Sequence, residues 1–122
     1  MGTDARQALG RRGEEIAARH LERLGYDVVA RNHRTRFGEL DIVAGDGARI
    51  VFVEVKTRRA GSGRPWESLH ERKCAQVRRM AAAYLSDVSD RPFAAELRFD
   101  AIGVVLATDG SLVELEHLEG AF

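Results

Sequence analysis

Three ionisable side chains within two apolar runs are the chemical feature of this sequence. Asp41 lies in the run 38–43, and Glu54 and Lys56 lie in the run 52–57. Charges inside apolar runs are costly to bury unless they meet water, each other or a ligand. Two carboxylates supply the oxygen ligands that Mg²⁺ prefers, and a lysine could orient or help deprotonate a water, or neutralise charge on a phosphorane. The pattern predicts metal-assisted phosphodiester hydrolysis.

An Asp-Gly turn at 46–47 is predicted to place these two runs side by side. Asp-Gly favours the tight turn of a hairpin, so the strands are predicted over residues 37–44 and 49–57. Pairing about this turn puts Asp41 opposite Phe52. A loop of two or of four residues leaves unchanged which side chains share a face.

Four charged side chains are predicted to project from one face of this hairpin. Glu39 falls opposite Glu54, and the alternation of side chains brings Asp41 and Lys56 to the same face. The three carboxylates would repel one another, and a divalent cation reverses the sign of that interaction. Mg²⁺ or Mn²⁺ is therefore predicted on Asp41 and Glu54, with the carbonyl of Val55 as a further ligand. The alternative is an exposed face on which Glu54 and Lys56 form an ordinary salt bridge.

Further motifs accompany these charged residues. They are Gly10-x-x-Gly13-Glu14-x-x-Ala17, Gly25-Tyr26, Arg31-Asn32, Gly38-Glu39-Leu40-Asp41, Phe52-Val53-Glu54-Val55-Lys56-Thr57-Arg58, Lys73 and Arg98-Phe99-Asp100. With them, nearly the whole chain resembles the YraN family of small bacterial proteins, within the PD-(D/E)xK nuclease superfamily. Leu40 stands where the superfamily motif has its loosely kept proline.

The resemblance implies an α/β fold with a restriction-endonuclease-like αβββαβ core. The implied sheet is mixed, with an antiparallel three-strand meander and a crossover helix. Archaeal Holliday-junction resolvases and restriction endonucleases are related, so the resemblance implies a Mg²⁺ site and a nucleic-acid substrate, with branched DNA as one candidate. By the same analogy a homodimer would pair two active sites.

The first helix is predicted over residues 5–24. Its Gly10 and Gly13 each weaken a helix by about 1 kcal/mol relative to alanine, which favours a close approach to the sheet or substrate. Glu14 lies at the edge of the apolar stripe and can reach the site, although a carboxylate early in a helix is also favoured by the helix dipole. The resemblance selects Glu14 as a further acidic contributor to catalysis, beside Glu39.

A second helix is predicted from about residue 68 to 88, followed by strands at 97–106 and 112–118. Lys73 lies on its inner stripe and Gln76 borders it. A lysine at this position can reach the site or extend to solvent, and the resemblance favours the site, where Lys73 and Gln76 are predicted to contact phosphate or water. Residues 56–79 hold eight lysines and arginines against two acids, whereas residues 80–122 hold two arginines against eight acids. The predicted nucleic-acid contacts are Lys73, Gln76, Arg58, Arg34 and Arg36.

Length and composition predict a single domain over residues 1–122. Hydrophobic residues make up 44% of the chain, which suffices for one core. Cys74 is the only cysteine, so no intramolecular disulfide can form. No apolar segment has the length of a membrane helix and no signal-type run follows the N-terminal charges, which predicts a soluble cytoplasmic protein without membrane contact.

Two other classes of function remain open at this point. One is a nucleic-acid-binding module that keeps the fold, does no chemistry and acts with a partner. The other is a protein-interaction domain that uses the acidic C-terminal third of the chain.

Overall fold

The computed structural model describes residues 3–91 and 95–122. In chain order the elements are α1 (Thr3–Arg23), β1 (Asp27–Thr35), β2 (Gly38–Gly45), β3 (Arg49–Arg59), a 3₁₀ turn (Pro65–Ser68), α2 (Glu71–Asp87), β4 (Glu96–Leu106) and β5 (Leu112–Leu118). The strands of the described residues form one five-stranded sheet in the order β1-β2-β3-β4-β5. The predicted αβββαβ core is confirmed, with β5 added at one edge.

The connections explain the direction of each strand. Short turns join β1 to β2 and β2 to β3, and these pairs are antiparallel, as predicted for the meander. The connection from β3 to β4 contains α2, and a crossover of that length allows the two strands to pair in parallel. β5 returns antiparallel to β4.

The central strands β2, β3 and β4 are buried on both faces of the sheet because each face is covered by one helix. On β3, Val51, Val53 and Val55 belong to the core cluster that contains α1 residues. The alternate residues Ile50 and Phe52 belong to the cluster that contains α2 residues. Residues 50–55 of β3 are therefore a buried apolar run in which Glu54 is the exception. Neither helix in the described part of the chain is both long and apolar enough to cross a membrane.

α1 approaches the sheet most closely at Gly13. A Cβ atom added at Gly13 would clash with the side chain of Thr57 on β3, so the predicted close approach is confirmed there. A Cβ atom added at Gly10 would meet nothing within 4 Å. Leu24, the last residue of the predicted helix, lies outside α1 and is 53% exposed, because α1 ends at Arg23 and the chain turns there.

The register of the β2–β3 hairpin differs from the prediction by two residues. Asp46 closes a four-residue loop in which its own carboxylate accepts hydrogen bonds from the amides of Ala48 and Arg49, both at 2.9 Å. The prediction that Asp41 lies opposite Phe52 is therefore wrong, since Val43 is the partner of Phe52.

Candidate functional site

The strands β2 and β3 separate from each other in the middle of the sheet. Their ladder ends at the pair Ile42 and Val53, beyond which β2 stays paired with β1 and β3 stays paired with β4. The next residue on each strand is a carboxylate, Asp41 on β2 and Glu54 on β3. We call this divergence, with Asp41 and Glu54 at its apex, the strand fork.

Asp41 takes the place of a ladder acceptor at the fork. Its Oδ2 accepts a hydrogen bond of 2.8 Å from the backbone amide of Val55, which no longer has a β2 carbonyl to bind. The N–H and C=O of one strand residue project toward the same neighbouring strand. The carbonyl of Val55 therefore also faces the fork.

Glu54 is held at the fork by two ammonium groups. The residue is only 4% exposed, and its Oε1 lies 3.2 Å from Nζ of Lys56 and 3.2 Å from Nζ of Lys73. Lys56 follows on the same strand, and Lys73 reaches in from α2. The structure thus brings Lys73 to the fork, as its position on the inner stripe of that helix predicted.

The fork strongly disfavours a negative charge on Asp41. Burial and the nearby carboxylate of Glu54 raise the pKa of Asp41 from its ordinary 3.8 to about 8. Glu14 adds to the rise, whereas the Val55 amide and Lys73 oppose it. Near neutral pH, Asp41 therefore binds a proton, and a divalent cation would relieve the same repulsion by replacing that proton.

The donor atoms at the fork suit a hard cation. They are the carboxylates of Asp41 and Glu54 and the carbonyl of Val55, and oxygen ligands of this kind are those that Mg²⁺ and Mn²⁺ prefer. Over residues 3–91 and 95–122, no cluster of three or more histidines, cysteines, aspartates or glutamates could hold a metal. An ion at the fork would therefore take its other ligands from backbone, water and substrate oxygens, which is common for Mg²⁺.

Glu39 does not share the face of Glu54, so that prediction is wrong. Its Oε1 accepts a hydrogen bond of 3.0 Å from Nδ2 of Asn32, and the same nitrogen donates to Oε1 of Glu14 on α1 at 3.0 Å. The next residue, Leu40, packs in the cluster on the α2 side. Asn32 has a left-handed backbone conformation with φ 51°, and this local irregularity lets Glu39 turn toward α1.

Glu14 approaches the fork from the α1 side. It is near enough to raise the pKa of Asp41, while its hydrogen bond ties it to Asn32. Glu14 also lines a cleft of about 300 Å³ with Lys56 and Arg58, so this cleft borders the fork. Arg58 itself donates a hydrogen bond of 2.9 Å to the carbonyl of Thr57.

The remaining predicted nucleic-acid contacts lie along the β1–β2 turn. Arg34 is 82% exposed and pairs with Glu39 at 3.3 Å. Gln76 does not reach the fork, because its Nε2 donates a hydrogen bond of 2.8 Å to the carbonyl of Phe37. The guanidinium of Arg36 lies 4.9 Å from the centre of the Phe37 ring.

A second buried charge cluster links β4 and β5 away from these residues. Asp100 is fully buried, and its carboxylate accepts two hydrogen bonds of 2.8 Å from Arg98 and one of 2.8 Å from His117. Burial alone would raise the pKa of Asp100, but the bonds from His117 and Arg98 outweigh it and lower that pKa to about 2. These contacts fit a structural role for Asp100, which the sequence motif Arg98-Phe99-Asp100 left unassigned.

Comparison of the sequence with known proteins identifies the family of the chain. Residues 13–104 match the model of a family described as the uncharacterised protein family UPF0102. The chain belongs to the UPF0102 family. This is the YraN family that the sequence motifs indicated, so that resemblance is confirmed. That family description names no activity.

Relatives in this family match the chain from end to end. A UPF0102 protein of Acidothermus cellulolyticus is 46% identical, over 97% of this chain and 96% of its own length. Those of Pelotomaculum thermopropionicum and Nocardia farcinica are each 44% identical, over 98% and 96% of this chain and 98% and 91% of their own lengths. The UPF0102 family thus extends over both helices and the whole sheet.

Sequence reasoning missed the bridging role of Asn32. The residue was noted only as part of the motif Arg31-Asn32. One signal for it exists, since asparagine tolerates a left-handed conformation better than most residues and often marks a strand irregularity. Its double hydrogen bond to Glu14 and Glu39 depends on the packing of α1, which no local pattern reveals.

Proposed function

We propose that this UPF0102 protein is a metal-dependent nuclease that hydrolyses phosphodiester bonds of DNA. The observation that carries the proposal is the meeting of Asp41 and Glu54 at the strand fork, with Lys56 and Lys73 on the same carboxylate. A buried and a partly buried carboxylate that repel each other beside two ammonium groups have little value for stability alone. They suit the binding of a cation and a polyanion.

Each residue at the fork would have a role that follows from its chemistry. Asp41, Glu54 and the carbonyl of Val55 would hold Mg²⁺ or Mn²⁺, which supplies charge neutralisation and an activated water when bound. Lys56 is positioned by Glu54 to orient that water or to donate to a phosphate oxygen as negative charge builds. Lys73 would contact a neighbouring phosphate, and Glu14 would add a further carboxylate from α1.

A second candidate is a nucleic-acid-binding module without catalysis. It is favoured by one observation, namely that Glu54 is already neutralised by Lys56 and Lys73 without any metal. In that case the fork would be a self-sufficient polar cluster and the arginines would carry the binding. Binding that needs no divalent ion and survives Asp41→Asn would favour this module.

A cleavage assay separates the two candidates. Labelled four-way-junction, flap, duplex and single-stranded DNA are incubated with the protein in Mg²⁺, Mn²⁺ or EDTA. The nuclease is expected to give metal-dependent products that are lost with Lys56→Ala and Asp41→Asn. Asp27→Asn is the matched control, since Asp27 is an exposed carboxylate of β1. Uncut but shifted DNA in every lane, or cleavage by Asp41→Asn equal to wild type, would remove the assignment.

A further inference from the structure

The turn between β1 and β2 presents an aromatic ring to solvent. Phe37 is 37% exposed, and the guanidinium of Arg36 lies over its ring. These two residues and Arg79 of α2 line a groove of about 490 Å³. Its other lining residues are Ala82, Ala83, Ser86 and Asp87. Small side chains thus leave room for a flat ligand between two cations and one carboxylate.

The backbone that carries Phe37 is held firmly. Thr35 Oγ1 donates to the carbonyl of Gly38 at 2.8 Å and accepts from the amide of Phe37 at 3.1 Å. Gln76 holds the carbonyl of Phe37, and a Cβ atom at Gly38 would lie 2.8 Å from Gln76 Nε2. None of these contacts involves the phenyl ring. The ring is therefore preorganised for a partner at a small entropic cost on binding.

The chemistry of the groove fits an unpaired nucleotide. Nucleobases stack on aromatic faces whatever their sequence, and arginines bind the phosphates beside them. Charge favours this occupant, because Arg36 and Arg79 outnumber Asp87. The groove shares its supporting elements with the proposed active site, since α2 also carries Lys73 to the fork and β2, which follows Phe37, carries Asp41.

We infer that Phe37 is a stacking platform for an unpaired base of the substrate, with Arg36 and Arg79 on the adjoining phosphates. This inference rests on the proposed nuclease function and names its substrate class. The four strand positions between Phe37 and Asp41 span roughly 13 Å. A short stretch of unpaired strand spans this distance, so the substrate needs an unpaired base close to the scissile phosphate. Flaps, branches and single strands provide one, whereas an intact duplex does not.

The test separates base stacking on the aromatic ring of Phe37 from contact with any apolar side chain of similar size. Wild type, Phe37→Ala, Phe37→Leu and Phe37→Trp are titrated in EDTA against a single strand and a duplex, each containing 2-aminopurine. Phe37→Ala is expected to weaken single-strand binding about tenfold and to abolish the quenching that stacking causes. Phe37→Leu should lose nearly as much, Phe37→Trp should retain both signals, and duplex binding should change less than twofold.

Leu97→Ala is the matched control, because Leu97 is an exposed apolar residue of β4 with 47% exposure. It should bind like wild type, and unfolding midpoints of all variants confirm that they fold. Unchanged quenching in Phe37→Ala, or full retention by Phe37→Leu, overturns the inference. A dimer that Phe37→Ala dissociates, with quenching unchanged, makes the turn an interface between copies and also overturns it.

The two proposals fail in different ways. If wild type cleaves DNA and Phe37→Ala cleaves it equally well, the stacking platform is refuted and the proposed nuclease function stands. Wild type that binds no nucleic acid even at low salt refutes the proposed function and the platform with it.

Discussion

Asp41→Asn should stabilise the protein while abolishing its proposed activity. Near neutral pH the folded chain keeps a proton on Asp41 that the unfolded chain releases, because burial and Glu54 raise the pKa of Asp41 from 3.8 to about 8. An asparagine is neutral in both states and can still accept the hydrogen bond from the Val55 amide. The substitution therefore removes a cost of folding that the wild-type chain carries.

The size of this cost follows from the pKa and depends on pH. Below pH 3.8 the carboxyl of Asp41 is protonated in both states and costs nothing. Above it, the free energy of unfolding falls by about 1.4 kcal/mol for each pH unit until the folded pKa near 8 is reached. At pH 7 the difference is about 4 kcal/mol as an upper limit, because local opening can hydrate the carboxylate. We expect Asp41→Asn to gain about 2 to 4 kcal/mol at pH 7 and almost nothing at pH 4.

Urea unfolding in EDTA at pH 4, 5, 6, 7 and 8 measures this difference directly. Asp46→Asn is the control, because the pKa of Asp46 is shifted in the opposite direction. Hydrogen bonds from the amides of Ala48 and Arg49 lower the pKa of Asp46. Its small loss of stability should not change between pH 6 and 8. Mg²⁺ should then raise the stability of wild type but not of Asp41→Asn, because it binds only the folded site. An Asp41→Asn protein that is no more stable than wild type at pH 7, or a gain independent of pH, would refute the reasoning.

Three further predictions test other contacts. Gly13→Ala should destabilise the protein by about 1 to 3 kcal/mol in urea unfolding, because its Cβ would meet Thr57, and Thr57→Ala should restore part of the loss. Independent losses that simply add would contradict that contact. Asp100→Asn should cost about 2 to 4 kcal/mol at pH 7, because it removes the buried carboxylate that Arg98 and His117 contact and leaves Arg98 with the exposed Glu119 as its acidic partner. Since the pKa of Asp100 is lowered to about 2, this loss should persist from pH 7 to about pH 4 and shrink as the pH falls toward 2; a constant loss would contradict it. Lys73→Ala should lower the slope of log affinity for duplex DNA against log salt by about 0.9, and an unchanged slope would restrict Lys73 to its contact with Glu54.

The carboxylates of the fork were predictable because their grouping tolerates an error in register. A slip of two residues in a hairpin keeps every side chain on its face, so Asp41 and Glu54 meet although the partner of Phe52 was wrong. The slip itself arises from Asp46, whose carboxylate closes a longer loop than the Asp-Gly pair suggests. Helical periodicity placed Lys73 on the inner side of the second helix, and the family resemblance favoured its approach to the site.

Other parts of the site depend on contacts between distant segments. Glu39 left its predicted face because Asn32, on the neighbouring strand, interrupts the alternation and bonds to it. Gln76 follows the backbone of Phe37 rather than the fork, and that choice is made by how α2 packs over the β1–β2 turn. Strand periodicity carries no information on either contact, since each joins residues from separate elements.

The strand fork divides the site between two mechanical units. Glu54 and Lys56 stand on β3, whose parallel ladder with β4 runs the full length from Arg49 to Arg59. Asp41 stands on the β1–β2 ribbon, which is joined to β3 through the short ladder that ends at Ile42. The far end of the ribbon is held by α2 instead, through the hydrogen bond from Gln76 to the carbonyl of Phe37. The spacing of the two carboxylates therefore depends on how α2 packs against both units, since the same helix brings Lys73 to Glu54.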